Sequence, residues 1–252
     1  MSAATTIHVE ELTSTNDRAL ELARQGEGTG TAVTATRQTA GRGRLGRTWE
    51  TPDGSLALSV IHRPSRAIEE TASLTPCVAV ALVEGLGELG VTARIKWPND
   101  VLVKGRKVCG ILCELHEISP HEKVVIVGIG LNVAVAEFPP ELGPIATSLS
   151  DHGCEANVAT VAETVLSRVR RALIRHDRGA DVPAAYQTLL EGVGGLVQWT
   201  DHGHRRQGTL VGARLRDGAL QVTSVEGDVF ITSGELTLLG DADKRHAGEE
   251  SP

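Results

Sequence analysis

Four arginines, Arg37, Arg42, Arg44 and Arg47, fall within eleven residues, and no acidic residue stands among them. Gly41, Gly43 and Gly46 are interleaved with them. Glycine lets the backbone approach a ligand closely, and guanidinium groups hold carboxylate or phosphate oxygens two at a time. The chain as a whole carries 25 Lys+Arg against 32 Asp+Glu, a formal charge of −7. Concentrated positive charge on an acidic protein points to a small polyanion, and a nucleotide phosphate is the expected one. A merely solvated basic loop is the plainer alternative, but three glycines suit it poorly.

Two familiar phosphate loops fit this stretch formally. Gly41–Gly46 satisfies G-x-G-x-x-G, and Gly41–Thr48 is one substitution from a Walker A loop, with Arg47 in the lysine position. Both need a helix to begin at the loop and supply phosphate-binding amides. Pro52, Asp53 and Gly54 follow within a few residues, and then a strand pattern. Both readings therefore fail on context.

A second group is Lys96-Trp97-Pro98-Asn99-Asp100, followed by Lys107-Val108-Cys109-Gly110-Ile111-Leu112. Pro98 fixes the backbone and biases Trp97 towards extended geometry. Lys96, Asn99 and Asp100 then present a cation, an amide and a carboxylate on a turn between two strands. Lys107 opens an apolar strand, which would set its ammonium at a pocket mouth, and Gly110 would admit a ligand or another backbone. Each lysine taken alone reads more readily as a surface residue. Cys109 and Cys113 are separated by ~13 Å of strand, too far to share one zinc, so they are expected to be buried structural thiols.

The elements that must carry these groups follow from periodicity. Thr5–Leu12 reads as a strand, and Ser14-Thr15-Asn16-Asp17 supplies helix-capping residue types before a stripe of Ala19, Leu20, Leu22 and Ala23. Gly26, Gly28 and Gly30 end that helix. Strands are expected at Thr31–Thr36 and at Gly54–His62, where Leu56, Leu58 and Val60 alternate with Ser55 and Ser59. Glu69–Leu89 has helical content, Val108–Leu115 and Lys123–Val135 are apolar strands, and Asn157–Arg175 is an amphipathic helix. A short helix is expected over Pro183–Leu190. After Gly192 the chain becomes a series of short strands, at Gly208–Arg214, Ala219–Val225, Val229–Ile231 and Leu236–Leu239, which suggests a small β-barrel. His202 and His204 read as turn residues.

Composition excludes several functions. Six aromatic residues and net acidity argue against an aromatic nucleic-acid platform and against a basic face for nucleic acid or anionic membrane. No stretch approaches the ~20 apolar residues of a membrane span, and the start lacks a secretory pattern. Reduced cysteines then fit a cytoplasmic protein.

These residues together resemble the biotin–protein ligase family, the biotin–acetyl-CoA-carboxylase ligases. The matching elements are Ser14-Thr15-Asn16, Gln38 with Gly41–Trp49, Lys96–Asp100, Lys107–Leu112 and Gly128-Ile129-Gly130-Leu131-Asn132, in the family's order. Ala146-Thr147-Ser148-Leu149 and the β-rich tail are also similar. The resemblance implies an α/β (α+β), class-II-synthetase-like catalytic domain with a mixed sheet over 1–192, an SH3-like barrel over 193–242 and a disordered tail over 243–252. It implies biotin contacts from Ser14, Thr15, Asn16, Gln38, Arg42, Gly43, Arg44 and Lys107. Trp49, Lys96, Asn99 and Asn132 would belong to the nucleotide side. Asp100 would sit in the active centre near magnesium, with Arg42, Arg44 and Lys107 as its catalytic partners. Cys109 departs from the glycine or alanine usual in the family.

The implied reaction forms biotinyl-5′-adenylate from biotin and ATP with Mg²⁺, then transfers biotin to a lysine of a biotin carboxyl carrier domain of an acyl-CoA carboxylase. The arginine loop and the segment Ala136–Ser150 are candidates to close over the adenylate. About a dozen residues precede Ser14, which is too few for the DNA-binding domain some relatives carry, so no nucleic-acid partner is expected. No membrane association is expected either, and the chain is read as a monomer or weak homodimer. A lipoate or octanoate ligase is the nearest rival, set apart by an apolar tunnel in place of polar partners. A non-catalytic biotin or nucleotide sensor is the other.

Overall fold

A computed structural model describes residues 4–65, 67–201 and 203–239. His202 and the tail expected over 243–252 lie outside the described residues. Seven strands, β1 (Thr6–Leu12), β2 (Ala32–Gln38), β3 (Ser55–His62), β4 (Arg94–Lys96), β5 (Asp100–Val103), β6 (Arg106–Ser119) and β7 (Glu122–Asn132), form one sheet in the order β1-β2-β3-β7-β6-β5-β4. β1 and β2 run parallel and the remaining neighbours antiparallel, so the sheet is mixed. Helix α1 (Thr15–Arg24) covers one face, while α2 (Leu74–Glu88) and α3 (Val158–Asp177) cover the other.

The two-residue period of the central strands divides their side chains between two apolar clusters. Leu56, Leu58 and Val60 of β3 and Val125, Val127, Ile129 and Leu131 of β7 join the large core with α2 and α3. Ile61, Val124 and Ile126, of opposite parity, pack under Ala19, Leu22 and Ala23 of α1. All eight residues of β3 are buried, because Ser55 and Ser59 face the sheet side that α1 covers.

Short strands β4 and β5 escape the periodicity, because three or four residues carry too little pattern. The helices expected at Asn157–Arg175 and Pro183–Leu190 form as α3 and as α4 (Ala185–Leu189), and Asn157 caps α3 by accepting from Thr160 N at 2.9 Å. After α4 come β8 (Leu196–Asp201), β9 (His204–Ala213), β10 (Leu220–Ser224), β11 (Gly227–Ile231) and β12 (Leu236–Leu238). They make a five-stranded antiparallel sheet in the order β11-β10-β9-β8-β12, in which His204 is a strand residue and not a turn. Its Val197, Trp199, Leu210, Val222 and Leu236 join the same apolar cluster as α2 and α3. Among the described residues no helix is long and apolar enough to cross a membrane.

Candidate active site

The face of the large sheet under α1 changes character along β7. Val124 and Ile126 pack on the helix, and then Gly128 and Gly130 follow at the same parity. Gly130 stands opposite Gly110 of β6. A methyl group at Gly130 would fall inside the Trp49 indole, and one at Gly110 would meet the ring at 3.0 Å. One at Gly128 would collide with the Asn16 amide. Gly110 was expected to admit a ligand or a backbone. What it admits is the Trp49 side chain, since the paired glycines leave a slot one indole deep.

That floor, the arginine loop, the β4–β5 turn and the start of β12 enclose a cleft of about 280 Å³. Twelve of the thirteen residues predicted for the site line it: Ser14, Thr15, Asn16, Gln38, Arg42, Gly43, Arg44, Trp49, Lys96, Asn99, Asp100 and Lys107. Asn132 does not. It is buried, its Nδ2 donates to Thr147 O at 3.1 Å, and it fastens the segment before the Ser150–His152 turn to β7.

Ser14 occupies the N-cap of α1 in extended geometry, but no side chain caps the helix. The capping residue types are used in the cleft instead. Thr15 donates to Gln38 Oε1 from its backbone N at 2.8 Å and from Oγ1 at 3.1 Å. Asn16 Nδ2 donates to Glu114 Oε2 at 2.6 Å, and the buried Ser59 donates to Asn16 Oδ1 at 2.5 Å. Asp17 grips both terminal nitrogens of Arg42, at 2.8 and 2.7 Å. This bidentate pair holds the Asp17 carboxyl below its usual range and raises the Arg42 guanidinium further.

The loop Gly41–Trp49 folds back on itself through Gly43 N to Arg47 O at 2.7 Å and Trp49 N to Gly41 O at 3.0 Å. Only a 3₁₀ turn at Arg44–Gly46 interrupts it, and β3 follows, so no α-helix begins where a Rossmann or P-loop site requires one. The arginines, free of acids in sequence, meet acids in space. Arg42 pairs with Asp17 and Glu114, and Arg47 with Glu235. Arg37 pairs with Glu11 away from the cleft, which removes it from the expected anion cluster. Arg44 instead donates to Asn99 Oδ1 at 3.3 Å and to Gly234 O at 3.5 Å.

Asn99 is turned towards Arg44 because its Nδ2 donates to Ile111 O at 2.8 Å. Lys107 Nζ lies 2.6 Å from Asp100 Oδ1 and 5.4 Å from the Trp49 ring centroid. Cys109 is buried as expected whereas Cys113 is half-buried; desolvation drives both thiols up, Cys113 to about 11, which fits a structural role. Sequence reasoning missed Glu114, Ser59 and the Glu235–Thr237 segment. The first two lie inside strand patterns, and the third enters from the C-terminal sheet.

Residues 9–132 match the family model described as Biotin/lipoate A/B protein ligase family. A biotin protein ligase from Aquifex aeolicus, solved in complex with biotin and ATP, superposes with a TM-score of 0.81 at 32% identity, covering 93% of this chain and 98% of that one. The chain belongs to the biotin/lipoate A/B protein ligase family. Among curated family members, a bifunctional ligase/repressor BirA of Bacillus subtilis is 45% identical over 148 residues, 57% of this chain and 46% of that protein. A biotin–[acetyl-CoA-carboxylase] ligase of Paracoccus denitrificans is 44% identical over 137 residues, 53% of this chain and 57% of that one. The chain thus spans about half the length of the curated relatives it matches.

Proposed function

We propose that the chain activates biotin with ATP and transfers it to a lysine of a biotin carboxyl carrier domain of an acyl-CoA carboxylase. The observation that carries this reading is the make-up of this cleft. Hydrogen-bonding groups of Ser14, Thr15, Asn16 and Gln38 line it together with the cations Arg42, Arg44 and Lys107. A ureido ring needs such polar partners, whereas an octanoyl or lipoyl chain needs an apolar tunnel. The similar Aquifex aeolicus enzyme holds biotin and ATP together, which supports the same pair of ligands here.

In the first step a biotin carboxylate oxygen attacks the α-phosphorus. The new O–P bond forms as the bond to pyrophosphate breaks, giving biotinyl-5′-adenylate. Two anions must approach, so cations already aimed at the meeting point lower the barrier. Arg44, held on amide and carbonyl oxygens, is the guanidinium most ready to take phosphate or carboxylate. Lys107 exchanges the Asp100 carboxylate for that of the ligand, while Arg42 stays held by Asp17 and Glu114 and offers its remaining N–H groups. In the second step the acceptor amine attacks the acyl carbon, AMP leaves, and the ammonium proton goes to a base. We assign that role to Asp100. Glu235, the other lining carboxylate, is engaged by Arg47.

Magnesium fits this donor set as an ion carried mainly by phosphates and water. Asp100 Oδ1 faces Lys107, so the protein would contribute Asp100 Oδ2 as one oxygen ligand. Bound there, the ion would offset phosphate charge. We read 1–192 as the catalytic unit and 193–242 as an SH3-like barrel, with the five-stranded sheet and its Glu235–Thr237 segment in support. We read the chain as a monomer or weak homodimer without a nucleic-acid partner.

ATP–pyrophosphate exchange with biotin, lipoate, octanoate or no acid tests the reading. Exchange with biotin alone is expected. Exchange with lipoate or octanoate in its place would move the chain to the other branch of the family. Exchange with none would favour a sensor.

A further inference from the structure

Glu114 stands outside the cleft lining, yet it touches two residues that line it. Its Oε2 accepts from Asn16 Nδ2 at 2.6 Å and from Arg42 Nη2 at 3.4 Å. It sits on β6 opposite Ile126 of β7, on the sheet face that carries Gly128 and Gly130. Its side chain is 25% exposed, which keeps these contacts partly shielded from water.

A carboxylate accepts and cannot donate, so only the NH₂ end of the Asn16 amide can face Glu114. Oδ1 is thereby turned to Ser59, whose hydroxyl is fully buried and donates to it at 2.5 Å. With one amide proton on Glu114, the second remains for a ligand. On the other side, Asp17 holds both terminal nitrogens of Arg42, and Glu114 shares one of them. One carboxylate thus orients an amide and a guanidinium that approach the cleft from different elements, α1 and the arginine loop.

We infer that Glu114 is a positioning residue for substrate recognition. Through Asn16 and Arg42 it sets the donor and acceptor pattern offered to a ligand bearing a cyclic urea and a carboxylate. This rests on the biotin reading above. The physical reason is preorganisation: without Glu114 the Asn16 amide can turn end for end, and Arg42 is held from one side alone. The ligand would then have to order both groups as it binds.

The test is biotin affinity by calorimetry without ATP, together with separate KM values for biotin and ATP in the exchange reaction. Removing a charge-assisted bond in Glu114→Ala is expected to weaken biotin binding about tenfold or more. The KM for ATP should stay within about twofold, because Asn16 and Arg42 are both read as biotin contacts. Glu114→Gln can still accept from Asn16 and should recover part of the loss; if the alanine variant does not fold, a several-fold rise in the glutamine variant carries the test. In Asn16→Ala the further change Glu114→Ala should cost less than it does in the unaltered chain, since only the hold on Arg42 is left to lose. Unchanged biotin affinity in Glu114→Ala would overturn the inference, as would equal rises in both KM values, which mark general loosening. If the unaltered protein binds no biotin, the functional reading itself falls. Binding by the unaltered protein with no effect of Glu114 sinks only this inference.

Discussion

Lys107 Nζ lies 2.6 Å from Asp100 Oδ1 because the β5–β6 ladder slips by one residue between them. Val101 pairs with Cys109 but Leu102 pairs with Lys107, so Val108 is the extra residue of a bulge. In a regular strand Lys107 and Gly110 point to opposite faces. The bulge turns both to the cleft, while Val108, Cys109 and Ile111 stay in the core.

Lys107→Ala leaves the Asp100 carboxylate without its cation and removes positive charge from the cleft. Biotin-dependent ATP–pyrophosphate exchange should fall about 10²–10³-fold, the usual loss of one transition-state donor. Circular dichroism and the melting temperature should stay near those of the unaltered chain. Arg44→Ala should act likewise, and a folded Arg44→Ala protein with normal exchange would remove Arg44 from this role.

Gly130→Ala places a methyl inside the Trp49 ring position. The indole must leave its slot, at a cost of about 1–3 kcal/mol for an overpacked site. Trp49 emission should shift, and the KM for ATP should rise at least about tenfold if the indole borders the nucleotide. Gly110→Ala, with its 3.0 Å approach, should do the same more weakly. Equal behaviour of the two variants would contradict the slot.

Glu235 ties the C-terminal sheet to the arginine loop through Arg47. Glu235→Lys sets two cations against each other there, while most of the apolar contact of the C-terminal sheet is untouched. Steady-state kinetics should show a several-fold higher KM for ATP with unchanged thermal stability. A drop in stability with no kinetic effect would reduce the contact to packing.

His62, fully buried at the end of β3, lies 3.5 Å from Asp177 Oδ1 and packs edge-on against His176. Burial lowers its pKa from 6.5 to about 4, Asp177 opposes that shift, and His176 adds to it. The unfolded chain therefore takes up the proton first. The neutral ring's contribution is fully present above pH 6.5 and is lost as the pH falls towards 4, by about 3 kcal/mol at most. Urea unfolding at pH 7.5 and pH 4.5 should show a larger loss for the unaltered protein than for His62→Gln. Equal losses would exclude His62 as the source.

Much of this molecule was legible in its residues. Long periodic segments such as α3 and β7 declared themselves, because their patterns repeat over many residues. Of the twelve expected residues that line the cleft, those of the arginine loop and of the Lys96–Lys107 group stood out by their chemistry, and Ser14, Thr15, Asn16, Gln38 and Trp49 by family resemblance. Gly110 inside a strand pattern implies a close approach, but reveals neither that Trp49 makes it nor that Gly130 shares the role. What the sequence alone determined is which chemical groups are present and which elements carry them. Tertiary structure alone decided that the arginines meet Asp17, Glu114 and Glu235, that Asn132 turns away to Thr147, and that β12 helps close the cleft. The reason is physical: periodicity reports which face a residue takes within its own element. Pairing across 72 residues, as between Arg42 and Glu114, depends on sheet order, and the meeting of Lys107 with Asp100 on a one-residue bulge; no local pattern encodes either.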